Sequence, residues 1–291
     1  MKRYESILVL FFALLIVAFC LFTYLPLVDG LVISLTDWNG FSFERPFVGL
    51  ANYLHLVQDK HFSDTLLVTL KYVVLVSLGM VGFGYLLALC LQKVKHQTGI
   101  LSMLFFPHLL MSVIACVLWE KIFNNMLPNL GKSLGLSWMS RNLLAQKSTA
   151  IYAVAMVDLW RLVPYAMLLF FTTVKSIPRE LVEYARVEGA NEPQVFWYVQ
   201  LPQTLGTCGV VLTSGITHGL TSVDTILVMT GGGPARATET LYYVIYKNSF
   251  MKQRFGYGLA QGVVLAFIAI VVFVAIDLLM NRKRMDGVES T

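Results

Sequence analysis

Six long apolar stretches restrict the fold of this sequence more than any other feature. A helix needs about 20 apolar residues to cross the hydrocarbon core of a bilayer. Hydrophobic residues make up 57% of the chain and charged residues only 13%, a composition far from that of an ordinary soluble domain. We therefore predict an all-α membrane protein with six transmembrane helices near residues 7–28, 66–91, 100–119, 150–174, 207–229 and 258–280.

The basic residues beside these stretches predict the orientation. The first stretch is too long for a signal-peptide core and is not followed by a small-residue cleavage site, so we expect an uncleaved anchor. An even number of spans places both termini on one side, and clusters of Lys and Arg favour the cytoplasm. Such clusters occur at Lys2-Arg3, at Lys93 and Lys95, and at Arg282-Lys283-Arg284. We predict a multi-pass protein of the cytoplasmic (inner) membrane with both termini in the cytoplasm.

A polar segment at residues 176–202 separates two apolar stretches and has the composition of two short helices. Pro178 suits the first turn of a helix, where its missing N–H is not needed, and Glu180 and Glu183 favour the positive N-terminal end. Gly189 tolerates the left-handed conformation that ends such a helix.

A second short helix is predicted directly after this break. Asn191 has the side chain of a helix N-cap, and Pro193 would occupy the first turn. The expected result is a compact helix-turn-helix, continuing to Pro202, between two membrane spans.

The spacing within this segment resembles the EAA motif of membrane subunits of binding-protein-dependent ABC importers. That motif lies in a cytoplasmic loop, contacts the ATPase, and reads Glu-Ala-Ala, three residues, Gly, nine residues, Ile-x-Leu-Pro. Tyr184 and Val199 depart from it, where Ala and Ile are usual. The resemblance implies a type I importer permease fold with a cytoplasmic coupling helix, and it assigns ATPase coupling to Glu180, Glu183, Ala185, Gly189, Leu201 and Pro202.

Further motifs look like those of carbohydrate-type permeases, including maltose, glycerol-phosphate and multiple-sugar systems. They include Leu35 to Gly40, Val48 to Tyr53, and the series Leu227 to Pro234 followed by Thr238-Glu239-Thr240-Leu241. In such systems the last series lies outside the membrane between the final two spans. The resemblance covers nearly the whole chain and implies a sugar or polyol substrate.

Three consecutive glycines and a proline follow the predicted fifth span. The glycines permit a sharp turn without side chains, and the proline prevents the helix from continuing. Two interpretations remain open, an external gate or binding-protein docking face and a simple helix terminator. The residues concerned are Gly231, Gly232, Gly233 and Pro234.

Polar side chains inside the fourth and fifth spans are candidates for a translocation path. Ionisable residues are costly within a bilayer and tend to face the protein interior or water. Asp158 and Arg161 are three residues apart and can share a helical face, so a purely structural Asp158–Arg161 pair is the alternative. The candidate path residues are Asp158, Trp160, Arg161, His218, Thr221 and Asp224.

Several other activities are not supported by the sequence. The four cysteines and five histidines lack metal-ligand or redox spacing, so we expect no metal site. Gly131-Lys132-Ser133 lacks the earlier glycine of a phosphate-binding loop, with Met126 in its place. The basic residues lie beside spans, where they would meet lipid headgroups, so nucleic-acid binding is not predicted.

The resemblance implies a non-catalytic subunit that binds no cofactor itself. Expected partners are a second similar permease, two ATPase subunits that use ATP-Mg, an external solute-binding protein and membrane lipid. We predict three regions: 1–65, an anchor span and first external loop; 66–280, a five-span core with the 176–202 loop; and 281–291, a cytoplasmic tail. The alternatives are an ion-coupled secondary transporter and a membrane receptor or assembly subunit.

Overall fold

The computed structural model describes residues 2–288, with side-chain detail for residues 10–278, and is helical. Within the described residues the regular elements are α-helices and short π-helical segments, and strand pairing is limited to one bridge between Thr36 and Phe47. The α-helices are α1 (Lys2–Ser34), α2 (Ala51–Gln58), α3 (Lys60–Gln92), α4 (Gln97–Leu109), α5 (Ser112–Lys121), α6 (Leu127–Leu134), α7 (Ala150–Ser176), α8 (Arg179–Val187), α9 (Glu192–Val195), α10 (Leu201–Thr221), α11 (Asp224–Met229), α12 (Leu241–Tyr246) and α13 (Phe255–Val288). The π-helical segments are Ile122–Met126, Phe196–Gln200 and Lys247–Met251.

Four helical segments in the described chain are long and apolar enough to cross a membrane. These are Leu10–Ser34, Lys60–Gln92, Ala150–Ser176 and Phe255–Leu278. The shortest has 24 residues and spans about 36 Å at 1.5 Å per residue, more than the roughly 30 Å of hydrocarbon. They correspond to the predicted first, second, fourth and sixth spans, so the all-α membrane fold is confirmed for these elements.

The predicted third span, near residues 100–119, is divided between two helices. Gln97–Leu109 and Ser112–Leu134 meet at an angle of 91° and would supply a fifth crossing if counted together. Pro107 removes an amide donor near the end of α4. The backbone then extends at Leu110 and Met111, with ψ of 136° and 139°, before α5 begins.

The predicted fifth span also ends early, because α10 stops at Thr221 and α11 begins at Asp224.

The glycines of α10 allow close packing on α3. A Cβ atom on Gly215 would lie 2.6 Å from the Cα of Ser77, and one on Gly219 would lie 2.9 Å from the Cα of Val73. In α10, small residues thus occupy positions where a membrane span usually has large apolar ones. The total of six spans remains a prediction.

The first of two compact units comprises Met1–Phe62 and Val244–Ala266. Its centre is the loop after α1. The Asn52 side chain donates hydrogen bonds of 2.9 Å to the carbonyls of both Ser34 and Thr36. The amide of Gly256 donates to the carbonyl of Trp38 at 2.9 Å. These contacts tie the start of α2 to the end of α1, and the start of α13 to the loop after α1.

The second compact unit comprises Ser63–Tyr243 and Phe267–Thr291. Here α7 packs against α4, α5, α10 and α11, and its Val157, Met167 and Phe170 are fully buried. The predicted regions are continuous in sequence, but the compact units are not, because residues 244–266 lie in the first unit. As functional regions, 1–65, 66–280 and 281–291 remain predictions, and residues 289–291 lie outside the described part of the chain.

Candidate coupling loop and buried polar cluster

The α8 helix ends in a Schellman motif that gives Ala185 and Gly189 defined roles. The amide of Ala190 donates to the carbonyl of Ala185 at 2.9 Å, and that of Gly189 donates to the carbonyl of Arg186 at 3.0 Å. Gly189 has a φ of +88°, which a side chain would strain. The break predicted at Gly189 is present. Pro178 occupies the N-cap rather than the predicted first turn, because its extended backbone (ψ 130°) precedes the helix.

A reciprocal capping box begins α9 directly after this break. The Asn191 side chain accepts a hydrogen bond from the Gln194 amide at 3.0 Å, and the Gln194 side chain accepts one from the Asn191 amide at 2.8 Å. Pro193 lies in the first turn, as predicted. A half-exposed ion pair of 2.8 Å joins Arg186 to Glu192 across the break, and such pairs contribute about 1 kcal/mol or less.

The second short helix does not end at Pro202. It passes through the π-helical segment Phe196–Gln200, in which the amide of Leu201 donates to the carbonyl of Phe196, and continues into α10. Pro202 falls in the first turn of α10. The wider π turn accommodates a residue with no amide donor. Leu201 and Pro202 therefore connect the polar loop directly to a long helix.

The surface of residues 176–202 is largely uncovered by the described chain. The α8 helix has no buried residue, and both Glu180 and Glu183 are exposed. Large apolar side chains are also exposed on α8 and in the π-helical segment, namely Leu181, Tyr184, Val187, Trp197 and Tyr198. Val187 is 86% exposed. Apolar and acidic groups side by side on a rigid loop are suited to a protein contact.

Asp158 lies at the centre of a buried polar cluster in the second unit. Its side chain is fully buried. The hydroxyl of Thr225 donates to its Oδ1 at 2.9 Å, the hydroxyl of Tyr72 donates to its Oδ2, and Nε2 of His218 lies 3.1 Å from that same oxygen. This carboxylate therefore connects α3, α7, α10 and α11.

The remaining path candidates do not join this cluster. Trp160 packs edge-on against Trp119 of α5, with ring centroids 5.5 Å apart. Thr221 is exposed and its hydroxyl donates to the carbonyl of Thr217. Asp224 is exposed in the first turn of α11. Asp158 and Arg161 both lie in the described part of the chain, and no ion pair joins them. The structural pair that was the alternative to a translocation path is therefore not formed.

The glycine-rich turn is packed tightly against the motif that follows it. Gly231 and Gly232 have φ of +54° and +83°. A Cβ atom on Gly232 would lie 2.6 Å from Cγ of Glu239. The hydroxyl of Tyr243 donates to the Gly231 carbonyl at 2.8 Å, and that of Thr238 donates to the Gly233 carbonyl at 2.9 Å. Pro234 follows in a cis peptide bond. The two halves of the motif thus form one structural unit.

Comparison with known proteins identifies the class of the chain. Residues 6–285 match the family described as "Binding-protein-dependent transport system inner membrane component". The chain belongs to this family. It is therefore a multi-pass permease component of the inner membrane, and the family expected from the sequence is confirmed.

Two relatives and one solved structure illustrate the similarity. The chain is 32% identical over 263 residues to the "Multiple sugar-binding transport system permease protein MsmF" of Streptococcus mutans, covering 90% of each chain. It is 29% identical over 252 residues to the "sn-glycerol-3-phosphate transport system permease protein UgpA" of Agrobacterium fabrum, covering 86% of each. A crystal structure of a bacterial ABC transporter that imports the acidic polysaccharide alginate shares the fold, with a TM-score of 0.81, 21% identity, and coverage of 97% of this chain and 99% of that one.

Proposed function

We propose that this chain is the permease subunit of an ATP-driven importer that moves a sugar or related polyol from an external binding protein into the cytoplasm. Relatives with similarity over most of the chain carry names of multiple-sugar and glycerol-phosphate transport systems, and these substrates share a polyhydroxylated carbon chain. The permease itself carries out no covalent chemistry. It works with a second similar permease and with two ATPase subunits, which bind the ATP-Mg.

The observation that carries this proposal is the exposed, doubly capped loop at residues 176–202. A loop fixed by a Schellman motif and a capping box keeps its shape without a partner. Its exposed apolar side chains indicate that a partner protein covers them. Glu180, Glu183, Ala185, Gly189, Leu201 and Pro202 form or flank this surface, and we assign them to ATPase coupling.

Continuity between the loop and α10 gives coupling a physical route. His218 follows Leu201 by 17 positions in one helix, which corresponds to about 26 Å at 1.5 Å per residue. A displacement of the loop therefore moves a rigid element whose far end contacts Asp158. Rigid-body movement of packed helices is a known route for alternating access.

The same proposal implies an orientation of the chain in the membrane. A loop that contacts ATPases lies in the cytoplasm, as do both termini if six spans are present. The Gly231–Pro234 turn then lies outside, where it serves as an external gate or docking face for the binding protein. The candidate path along α7 and the end of α10 comprises Asp158, Trp160, Arg161, His218, Thr221 and Asp224.

The direct functional test replaces Gly189 by valine and uses Gly135 as its matched control. Gly135 ends α6 in the same motif, with a φ of +69° and the Leu136 amide bonded to the Gly131 carbonyl at 2.8 Å. A Cβ atom at either glycine meets nothing within 4 Å. Both substitutions therefore impose a similar backbone strain of about 1–2 kcal/mol.

We expect Gly189→Val to lower ATPase recruitment and uptake while membrane insertion is unchanged, and Gly135→Val to retain both activities. The measurements are co-purification of the ATPase in detergent and substrate uptake by the assembled complex. Wild-type recruitment and uptake in Gly189→Val would contradict the assignment of this loop.

A further inference from the structure

Arg161 is a cation inside a long apolar helix with no acidic partner in the described chain. It is the twelfth residue of the 27-residue α7 helix, close to its middle. The N–H groups of Nε and Nη1 are buried and donate to no described residue, while Arg161 as a whole is partly exposed. A guanidinium stays positively charged in proteins. Burying its N–H groups without a partner is therefore unfavourable.

The nearest carboxylate in sequence does not pair with Arg161. Asp158 lies one turn earlier on α7, but both of its oxygens are already engaged by Tyr72, Thr225 and His218. The negative charge of Asp158 is thus stabilised within its own cluster. The positive charge of Arg161 is left without a local counterion.

Contacts from two other helices hold the backbone around Arg161 in place. Nδ1 of His108 on α4 lies 3.0 Å from the Arg161 carbonyl oxygen, and the His108 ring stacks on Tyr165 with centroids 5.6 Å apart. The residue before Arg161, Trp160, packs against Trp119 of α5. The helix that carries Arg161 is thus held in place by its neighbours, which lowers the entropy cost of ordering the site when a ligand binds.

We propose that Arg161 binds an anionic group, a carboxylate or a phosphate, on the transported sugar or polyol. This inference rests on the proposed function and narrows its substrate class to acidic compounds. The planar fork of a guanidinium matches both carboxylate and phosphate oxygens in a bidentate manner. A buried and unpaired polar donor also rejects a neutral analogue, because binding that analogue leaves the donor unsatisfied.

The test uses the complete complex with its binding protein in proteoliposomes and two matched pairs of compounds. One pair is glycerol 3-phosphate and glycerol, and the other is an oligogalacturonate and a neutral galacto-oligosaccharide of equal length. Arg161→Gln removes the charge, and Arg161→Lys keeps the charge but removes the fork. The control is Lys71→Gln, since Lys71 is an exposed cation on α3 that lies 4.2 Å from the Tyr152 ring centroid.

We expect uptake of the acidic member of at least one pair in preference to its neutral counterpart. Arg161→Gln should raise the half-saturation concentration for that compound by about tenfold or more, as expected for loss of a charged hydrogen bond. Arg161→Lys should give an intermediate value, and Lys71→Gln should stay within about twofold of wild type.

Three results would overturn the inference. Uptake of a neutral compound that is insensitive to Arg161→Gln would refute the acidic substrate class but leave the importer function standing. Loss of the second permease from the Arg161→Gln complex would show that a carboxylate of that subunit is the counterion. Uptake of none of the four compounds by the wild-type complex would count against the importer function as well.

Discussion

At the scale of single residues, Asp158 shows how an ionisable group is tolerated inside a membrane protein. Leaving a carboxylate buried without partners is strongly unfavourable, because water no longer stabilises its charge. Here the carboxylate has hydroxyl donors from Tyr72 and Thr225 and an imidazole neighbour in His218. The cluster therefore holds α7, α3, α10 and the start of α11 at fixed positions.

Two threonines of the second unit provide a matched test of this cluster. Thr225 is fully buried and donates to Asp158, whereas Thr221 is exposed and donates to its own helix. We expect Thr225→Val to destabilise the protein by about 1.5–3 kcal/mol, because a charged acceptor loses its donor. Thr221→Val should change stability by about 0.5 kcal/mol or less.

The midpoint temperature of thermal unfolding in detergent, measured for both variants, distinguishes these outcomes. Equal midpoints for the two variants would show that the Thr225–Asp158 hydrogen bond does not stabilise the fold.

The sequence predicts part of this cluster, for physical reasons that are visible in the residues. Asp158 and His218 stand out because ionisable side chains are rare in apolar helices. Tyr72 and Thr225 do not, since tyrosine and threonine are ordinary in spans. Their contacts with Asp158 cross 86 and 67 positions of the chain, and such tertiary pairing leaves no local pattern.

At the scale of structural elements, signals from neighbouring residues predicted the break and the second cap of the 176–202 segment, but placed Pro178 in the first turn and not at the N-cap. The break at Gly189 and the cap at Asn191 depend on neighbouring residues alone, and both are present. The bend after α4 follows Pro107, and α10 ends at Thr221 before α11 begins, so both elements differ from the predicted spans. The continuation of α9 into α10 through a π-helical segment likewise had no signal in the sequence.

The glycine-rich turn allows a prediction that separates backbone conformation from packing. Gly231 and Gly232 both have positive φ, but a Cβ atom on Gly231 meets nothing within 4 Å, whereas one on Gly232 lies 2.6 Å from Glu239 and 2.7 Å from Tyr243. We expect Gly231→Ala to cost about 1–2 kcal/mol from strain alone. Gly232→Ala should cost about 1–3 kcal/mol more, as is typical of overpacking.

The unfolding midpoints of the two alanine variants, measured under identical detergent conditions, provide the comparison. A smaller loss for Gly232→Ala than for Gly231→Ala would show that the turn does not pack against the Thr238–Tyr243 segment.

At the scale of the whole molecule, the distribution of basic residues and the proposed role of the loop predict the membrane orientation. Single cysteines at Phe43, Leu136 and Glu183 test it in a background without the four native cysteines, since all three side chains are exposed. We expect a membrane-impermeant thiol reagent added to intact cells to label positions 43 and 136. Position 183 should be labelled only after the membrane is opened. External labelling at position 183 would invert the orientation.

The central claim is that residues 176–202 contact an ATPase from the cytoplasm. Cross-linking in native membranes tests it most directly, with a photoreactive residue in place of Tyr184, which is 69% exposed beside Glu183, and a control at Leu136, which is 37% exposed. The account predicts a covalent product with the ATPase subunit from position 184 and none from position 136. A product from position 136 alone, or none from position 184 in a complex that retains its ATPase, would contradict it.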